Sequence, residues 1–454
     1  MSDSRLTSLD ASFLEVESLT AHMHVGWAAL FKPPAGRPAP GFEELREHIH
    51  GRLRRAPRYR QRLAAVPFGL NDPVWVDDAE FDLNRHVRRA PAARWSDAVD
   101  AVMSAPLIPG RPLWELWIAD GLDDGRIGVI GKVHHCMVDG LAAVELAALL
   151  LDPKPEPVTI GPDAWQPGRT PDSVSLLLDG VVDRLRQAGG LGRPLMGLAR
   201  HPRRLFRLAG KGLQSARAVT RSLEVAASET GLNERSSAGR HLASVRRPLA
   251  DLKQIKQQFG TTVNDVVLAV AAGGLRRFLV RQSKTPVKLK AMVPVSVREN
   301  GRAGQLGNRI SFVYVDLPCD EPDPVRRLRT LAMAMRQRKQ GGEPEGADAM
   351  LKALGYAPRQ LQHAVSRMVA SARSFNLVVS NIPGPPLALY MLGCALEEVY
   401  PVVPLADQHA VSIGMTTIND RAFFGIYADP QMLPDADLLA ADIDESVEDL
   451  ITLS

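Results

Sequence analysis

Between Pro153 and Asp172 the chain carries six prolines, a density that neither a helix interior nor a sheet interior tolerates. This break divides the 454 residues into two long stretches, and each alternates short apolar runs with segments of helical periodicity. On the first side, Phe42–Arg55 places Leu45, Ile49 and Leu53 on one helical face and stops before Pro57. Leu113–Ile118 and Ile127–Val133 are apolar runs bounded by Gly and Asp, which suits buried strands, and Asp139–Leu151 reads as a buried helix ended by Pro153. On the second side Leu249–Phe259, Asn264–Val280, Val325–Arg338 and Asp435–Leu450 read as helices. Lys288–Val295, Arg309–Leu317, Asn376–Ser380, Ala410–Met415 and Ala422–Tyr427 read as strands. No fixed period repeats, so solenoids and propellers are disfavoured. The expectation is an α/β protein with domains at 1–152 and 241–454, joined by a linker and basic segment at 153–240.

Apolar residues at 45% and charged residues at 23% describe a chain that builds its own cores. A net charge of +4 permits attraction to phosphates or acidic head groups and gives no argument for nucleic acid. Three scattered cysteines, Cys136, Cys319 and Cys394, make neither a disulfide framework nor a metal knuckle and suit a reducing cytoplasm. Residues 1–20 lack the long apolar core of a signal peptide. The longest apolar stretches fall short of the roughly 20 residues needed to span a bilayer, so contact with a membrane would be peripheral.

One heptad stands out: His134-His135-Cys136-Met137-Val138-Asp139-Gly140, where a strand gives way to a helix. An imidazole is the side chain best suited to take and return a proton near neutrality. Adjacent histidines on a strand end point to opposite sides, so at most one faces a given cleft. Asp139 falls across the turn, where it can brace the loop through backbone N–H groups or a cation, and Gly140 allows a tight bend. Two neighbouring histidines are also compatible with a purely structural role. Zinc would prefer histidines at helical spacing and a third ligand, and no HExxH occurs. There is likewise no GxSxG elbow, Walker A loop or strand-linked GxGxxG, which disfavours hydrolases of that type, nucleotide hydrolysis and nicotinamide binding.

The heptad resembles the HHxxxDG signature of CoA-dependent acyltransferases, which include chloramphenicol acetyltransferase, carnitine acyltransferases and nonribosomal-peptide condensation domains. The chain is most similar to the bacterial wax ester synthase/diacylglycerol acyltransferase family, through blocks spread along nearly all of it. These are Ser8–Leu14 with Met23–Gly26, Arg111–Glu115, Asn264–Ala269, Val293–Arg298, Gly307–Ser311, Ser380–Pro385 and Phe424-Gly425. Residues 153–240 match least, and Cys136 stands where a small residue such as alanine is more usual.

That resemblance implies two chloramphenicol-acetyltransferase-like α/β domains with an active-site tunnel between them. It implies His135 as general base, His134 in support and Asp139 as a structural brace, with Arg298 as its candidate partner. Gly140, Asn264 and Ser311 are the candidate substrate-binding residues; Asn264 and Ser311 are candidate oxyanion donors, although Asn264 also reads as a helix N-cap. The donor would be long-chain acyl-CoA, with no cofactor or metal, and the acceptor diacylglycerol or a fatty alcohol. A polyketide- or peptide-associated acyltransferase, a condensation enzyme fed by a carrier protein, and an idle lipid-binding member are the competing readings. The basic stretch Val181–Ser222 has ten Lys/Arg and one acid, Asp183. Arg200, Arg203, Arg204, Arg207 and Lys211 interleave with Leu198, Leu205, Phe206 and Leu208, a pattern for peripheral docking on membrane or lipid droplet, or for a surface or interdomain helix.

Overall fold

The computed structural model describes residues 5–91, 94–137, 150–158, 163, 165–178, 180–182, 227–228, 230–296, 310–341 and 359–454. Two six-stranded sheets organise them. The first contains, in spatial order, β11 (Tyr390–Met391), β12 (Cys394–Val402), β1 (His24–Lys32), β6 (Ile127–His134), β5 (Trp114–Asp120) and β4 (Val87–Arg89). The second contains β7 (His241–Pro248), β14 (Arg421–Ala428), β13 (Val411–Ile418), β10 (Leu377–Ile382), β8 (Leu289–Ser296) and β9 (Ile310–Leu317). A hairpin of β2 (Gln61–Ala64) and β3 (Val74–Asp77) stands apart. The result is the α/β architecture with two domains that the sequence led us to expect.

The helices obey their apolar periodicities. Phe42–Arg52 buries Phe42, Leu45 and Ile49, and Leu53 continues the stripe in a tighter turn before Pro57. The helix Val263–Arg281 is apolar on every side from Val266 to Leu275, so it forms the centre of the second domain's core. It crosses the final helix, Ala436–Thr452, closely enough that a Cβ on Gly274 would lie 2.8 Å from the Ile443 Cα, so only glycine fits there. Thr262, not Asn264, caps this helix. Its hydroxyl accepts the Asp265 N–H at 3.2 Å while the Asp265 carboxylate accepts the Thr262 N–H at 2.9 Å. Asn264 lies one residue inside the first turn and has no capping role.

The two sheets meet through β12. Its sequence belongs to the second half, yet it pairs with β1 from Gly26↔Val402 to Lys32↔Ala395. Its Pro401 lies directly over the cross-strand pair Gly414↔Gly425 of the second sheet. A Cβ on Gly425 would stand 2.1 Å from the Pro401 carbonyl oxygen, so any side chain there would drive the sheets apart. The proline-rich segment is also fastened down where it is described. Asp152 exchanges two 2.8 Å backbone bonds with Tyr390 and pairs with buried Arg52; Asp163 pairs with buried Arg60; the Gly168 N–H donates to Asp77 at 2.8 Å. Its composition is that of a loop, but these contacts attach it to the first domain.

Candidate functional site

The histidine pair terminates β6. His134 is the last strand residue, opposite His24 of β1, and it is almost wholly buried. The Cys136 N–H donates to its Nδ1 at 3.1 Å, and its Nε2 lies 3.6 Å from Glu17 Oε1. His135 begins the short turn His135–Met137, one residue past the end of the strand. Its N–H donates to the Met23 carbonyl at 2.9 Å, and Met23 holds a left-handed φ of 46° to present that oxygen. Backbone strain is thus spent on anchoring the turn.

The His135 ring lies flat on Phe13, with centroids 3.7 Å apart and planes 16° from parallel. Phe13 belongs to the helix Ser8–Val16, which packs over the turn and is itself packed against the helix Arg359–Val369 of the second domain. Burial pushes the His135 imidazole down to about 4, countered in part by its own backbone carbonyl and reinforced by His134. The residue keeps some accessible surface, but its ring is crowded enough by protein that desolvation dominates. Nδ1 is buried without a hydrogen bond to another residue. The site therefore holds a neutral imidazole at physiological pH.

The surroundings favour rigidity. Lys132 is fully buried between Glu115 Oε2 at 3.1 Å and the carbonyls of Val102 and Ala105 at 3.0 and 2.9 Å, at the C-terminus of the helix Trp95–Ser104. Burial and then Lys132 hold His24 well below the ordinary histidine range. Cys136 packs among Leu6, Ala11, Trp75, Leu107 and Leu113, and burial pushes its thiol far up, which makes it a poor nucleophile. Among the described residues no group of three His, Cys, Asp or Glu side chains is arranged to hold a metal ion.

Asp139, Gly140 and Arg298 lie outside the described residues, as does most of Val181–Ser222. Ser311 is placed on β9 opposite Val295, and its side chain is not among those described. Asn264 stands in the second domain; no hydrogen bond among the described residues joins it to the histidine turn. Phe13, Glu17 and Met23 carry the geometry of His135 and His134 and were not singled out from sequence. The signal was there in Ser8–Leu14 and Met23–Gly26, two blocks that fold onto the turn. Along β1, an apolar cavity of about 90 Å³ separates Val25, Trp27 and Phe31 from Ile382, Pro385 and Ile418 of the second half.

The chain as a whole is similar to known proteins. Residues 6–267 match the family model "Wax ester synthase/diacylglycerol acyltransferase catalytic domain", and residues 306–451 the corresponding C-terminal domain. The Mycobacterium tuberculosis protein named "Probable diacyglycerol O-acyltransferase tgs1" is 31% identical over 99% of this chain and 96% of its own length. The wax ester synthase/diacylglycerol acyltransferase from Marinobacter aquaeolei VT8 superposes with a TM-score of 0.68 at 26% identity, covering 98% of each chain. The trichothecene 15-O-acetyltransferase of Fusarium sporotrichioides shares the fold alone, with a TM-score of 0.60 at 13% identity over 99% of this chain and 94% of its own.

Proposed function

The chain belongs to the wax ester synthase/diacylglycerol acyltransferase family and is an acyltransferase, and on that premise we propose that it moves a long-chain acyl group from acyl-CoA to diacylglycerol, and to long-chain alcohols as a second acceptor. The observation that carries the proposal is the neutral, stacked and anchored His135 at the end of β6. Its Nε2 accepts the acceptor's hydroxyl proton while the oxygen attacks the thioester carbonyl. A new C–O bond forms, the C–S bond breaks as the tetrahedral intermediate collapses, and the imidazolium returns its proton to the departing CoA thiolate. Asn264 and Ser311 are retained as candidate donors to the oxyanion, Gly140 as a loop residue beside the substrate, and Asp139 as the brace of the turn.

No cofactor enters this scheme, and no acyl-enzyme is needed, in keeping with the inert setting of Cys136. Among the described residues no helix is long and apolar enough to cross a membrane. A lipid acceptor then has to be reached from a bilayer or droplet surface, and the basic stretch Val181–Ser222 is the segment we assign to anionic head groups. Incubation of the purified protein with palmitoyl-CoA and either diolein or hexadecanol tests the proposal, with CoA release and ester product both followed. Ester formation with diolein supports it. Ester formation only from an acyl group loaded on a carrier protein would favour the condensation reading instead.

A further inference from the structure

The hairpin β2–β3 ends in the turn Pro67–Gly69, where Phe68 adopts a left-handed φ of 56° and is 90% exposed. A bulky residue is disfavoured in that backbone region, and an aromatic ring in water is disfavoured again. Beside the hairpin, residues 173–178 and 180–182 are helical, and the two faces of this helix differ in occupancy. Leu176 is buried against Val74 and Val76, Gly180 comes up against the Val66 side chain, and the Gly180 carbonyl accepts from the Asn71 side chain at 3.1 Å, so this face is docked on the hairpin. Val174, Leu178, Val181 and Val182, spaced i, i+4, i+7 and i+8, form the opposite stripe and are 64%, 60%, 43% and 41% exposed. Phe68 and Leu70, on the hairpin against which this helix docks, add two more exposed apolar side chains to this part of the first domain.

We infer that this surface is where the enzyme seats itself on a lipid layer, with Phe68 and Leu178 entering the interface. Three observations select a lipid layer over another occupant. The acceptor under the proposed function is a lipid, and the chain beyond residue 182 continues as the stretch whose ten Lys/Arg against one acid complement anionic head groups. A surface of exposed aliphatic and aromatic groups followed by cations is the composition of an interfacial anchor. The strained and exposed Phe68 also fits, because an apolar partner would recover the loss its ring incurs in water. This inference rests on the lipid acyltransferase reading, and the experiment separates the two.

Vesicles of phosphatidylcholine and phosphatidylserine containing diolein are sedimented with wild type and with the double variant Phe68→Ser, Leu178→Ser. Both residues are exposed, so the melting temperature should hold. Partitioning should fall at least about tenfold, the scale expected for withdrawing two such side chains from an apolar phase. Transfer from octanoyl-CoA to hexanol, both dispersed without vesicles, should be unchanged. In Phe68→Trp, brominated lipid should quench the added fluorescence. Undiminished partitioning of the double variant, no quenching of the introduced indole, or no wild-type sedimentation at low salt overturns the inference. So does a drop in melting temperature with unchanged partitioning, which would mean that the chain's own basic segment covers the stripe. A change of oligomeric state with unchanged partitioning would assign it to a second copy and equally overturn the inference. If wild type instead fails to acylate hexanol and diolein while sedimenting normally, the functional reading fails and the docking surface stands.

Discussion

Acidification interrogates the desolvated setting of His135. Its imidazole is pushed down to about 4 by burial. At pH 5 a histidine of ordinary pKa, about 6.5, would be only about 3% neutral, whereas one at about 4 is about 90% neutral. The difference is about thirtyfold in the concentration of active base. kcat/KM should therefore stay level from pH 8 to pH 5 and bend down only as the pH approaches 4. The same shift has a stability consequence. The unfolded chain takes up this proton below about 6.5 and the folded chain only near 4, so between those values the unfolded state binds more protons and stability falls as pH drops. The full shift amounts to about 3 kcal/mol. His135→Asn removes it, so the variant should lose less melting temperature than wild type between pH 7 and pH 5. Initial rates with octanoyl-CoA and hexanol, with released thiol read by a dithiodipyridine reagent that works in acid, measure the limb. A midpoint near 6.5, with the protein folded, would refute the desolvated base.

Three further outcomes follow from named contacts. Phe13 presents its face to a ring that becomes cationic as it takes the proton, an interaction worth about 0.5–2 kcal/mol, so Phe13→Leu should lower kcat about 2- to 30-fold with little change in KM, and Phe13→Trp should restore it. A fall in melting temperature alone would reduce Phe13 to packing. His241 is raised to about 9, first by its 2.7 Å bond to Asp100, so its contribution is complete below about 6.5 and disappears as pH rises through 9. Asp100→Asn should cost about 1 kcal/mol at pH 7, allowing for solvent screening, and flatten the alkaline loss of melting temperature; an unchanged alkaline slope would remove this pair from the account. Cys136 should gain no acyl group from palmitoyl-CoA and resist iodoacetamide in the folded protein, and intact-mass spectrometry showing a rapid adduct at Cys136 would contradict its burial.

Much of the fold was legible because local pattern and final structure agree. Leu249–Phe259 was read from its apolar spacing with the bounds it has, and Val263–Arg281 to within a residue at each end. β1 and β12 were not read, because their partners come from distant sequence and neither alternates cleanly, with β1 buried on both faces over Ala28–Phe31. No local signal announces that Cys394–Val402 leaves the second half to complete the first sheet. The capping error had a visible remedy, since Thr262 and Asp265 have the spacing of a capping box and Asn264 does not. His135 was legible through its motif, but its environment was not. The stacking of Phe13 and the strained Met23 carbonyl depend on a helix and a turn more than a hundred residues earlier in the chain. The proline-rich segment illustrates the converse, because composition distinguishes loop from helix and cannot tell a loose loop from one pinned by Arg52 and Arg60.

The central claim is that His135 moves the proton. Steady-state transfer of palmitate to diolein by His135→Ala, with folding verified by its melting curve, tests it most directly. Loss of a general base lowers turnover by about 10²–10⁴-fold, and a reduction of that size is the predicted result. A folded His135→Ala protein that keeps more than about a tenth of wild-type turnover, far above what removal of a general base allows, would contradict it.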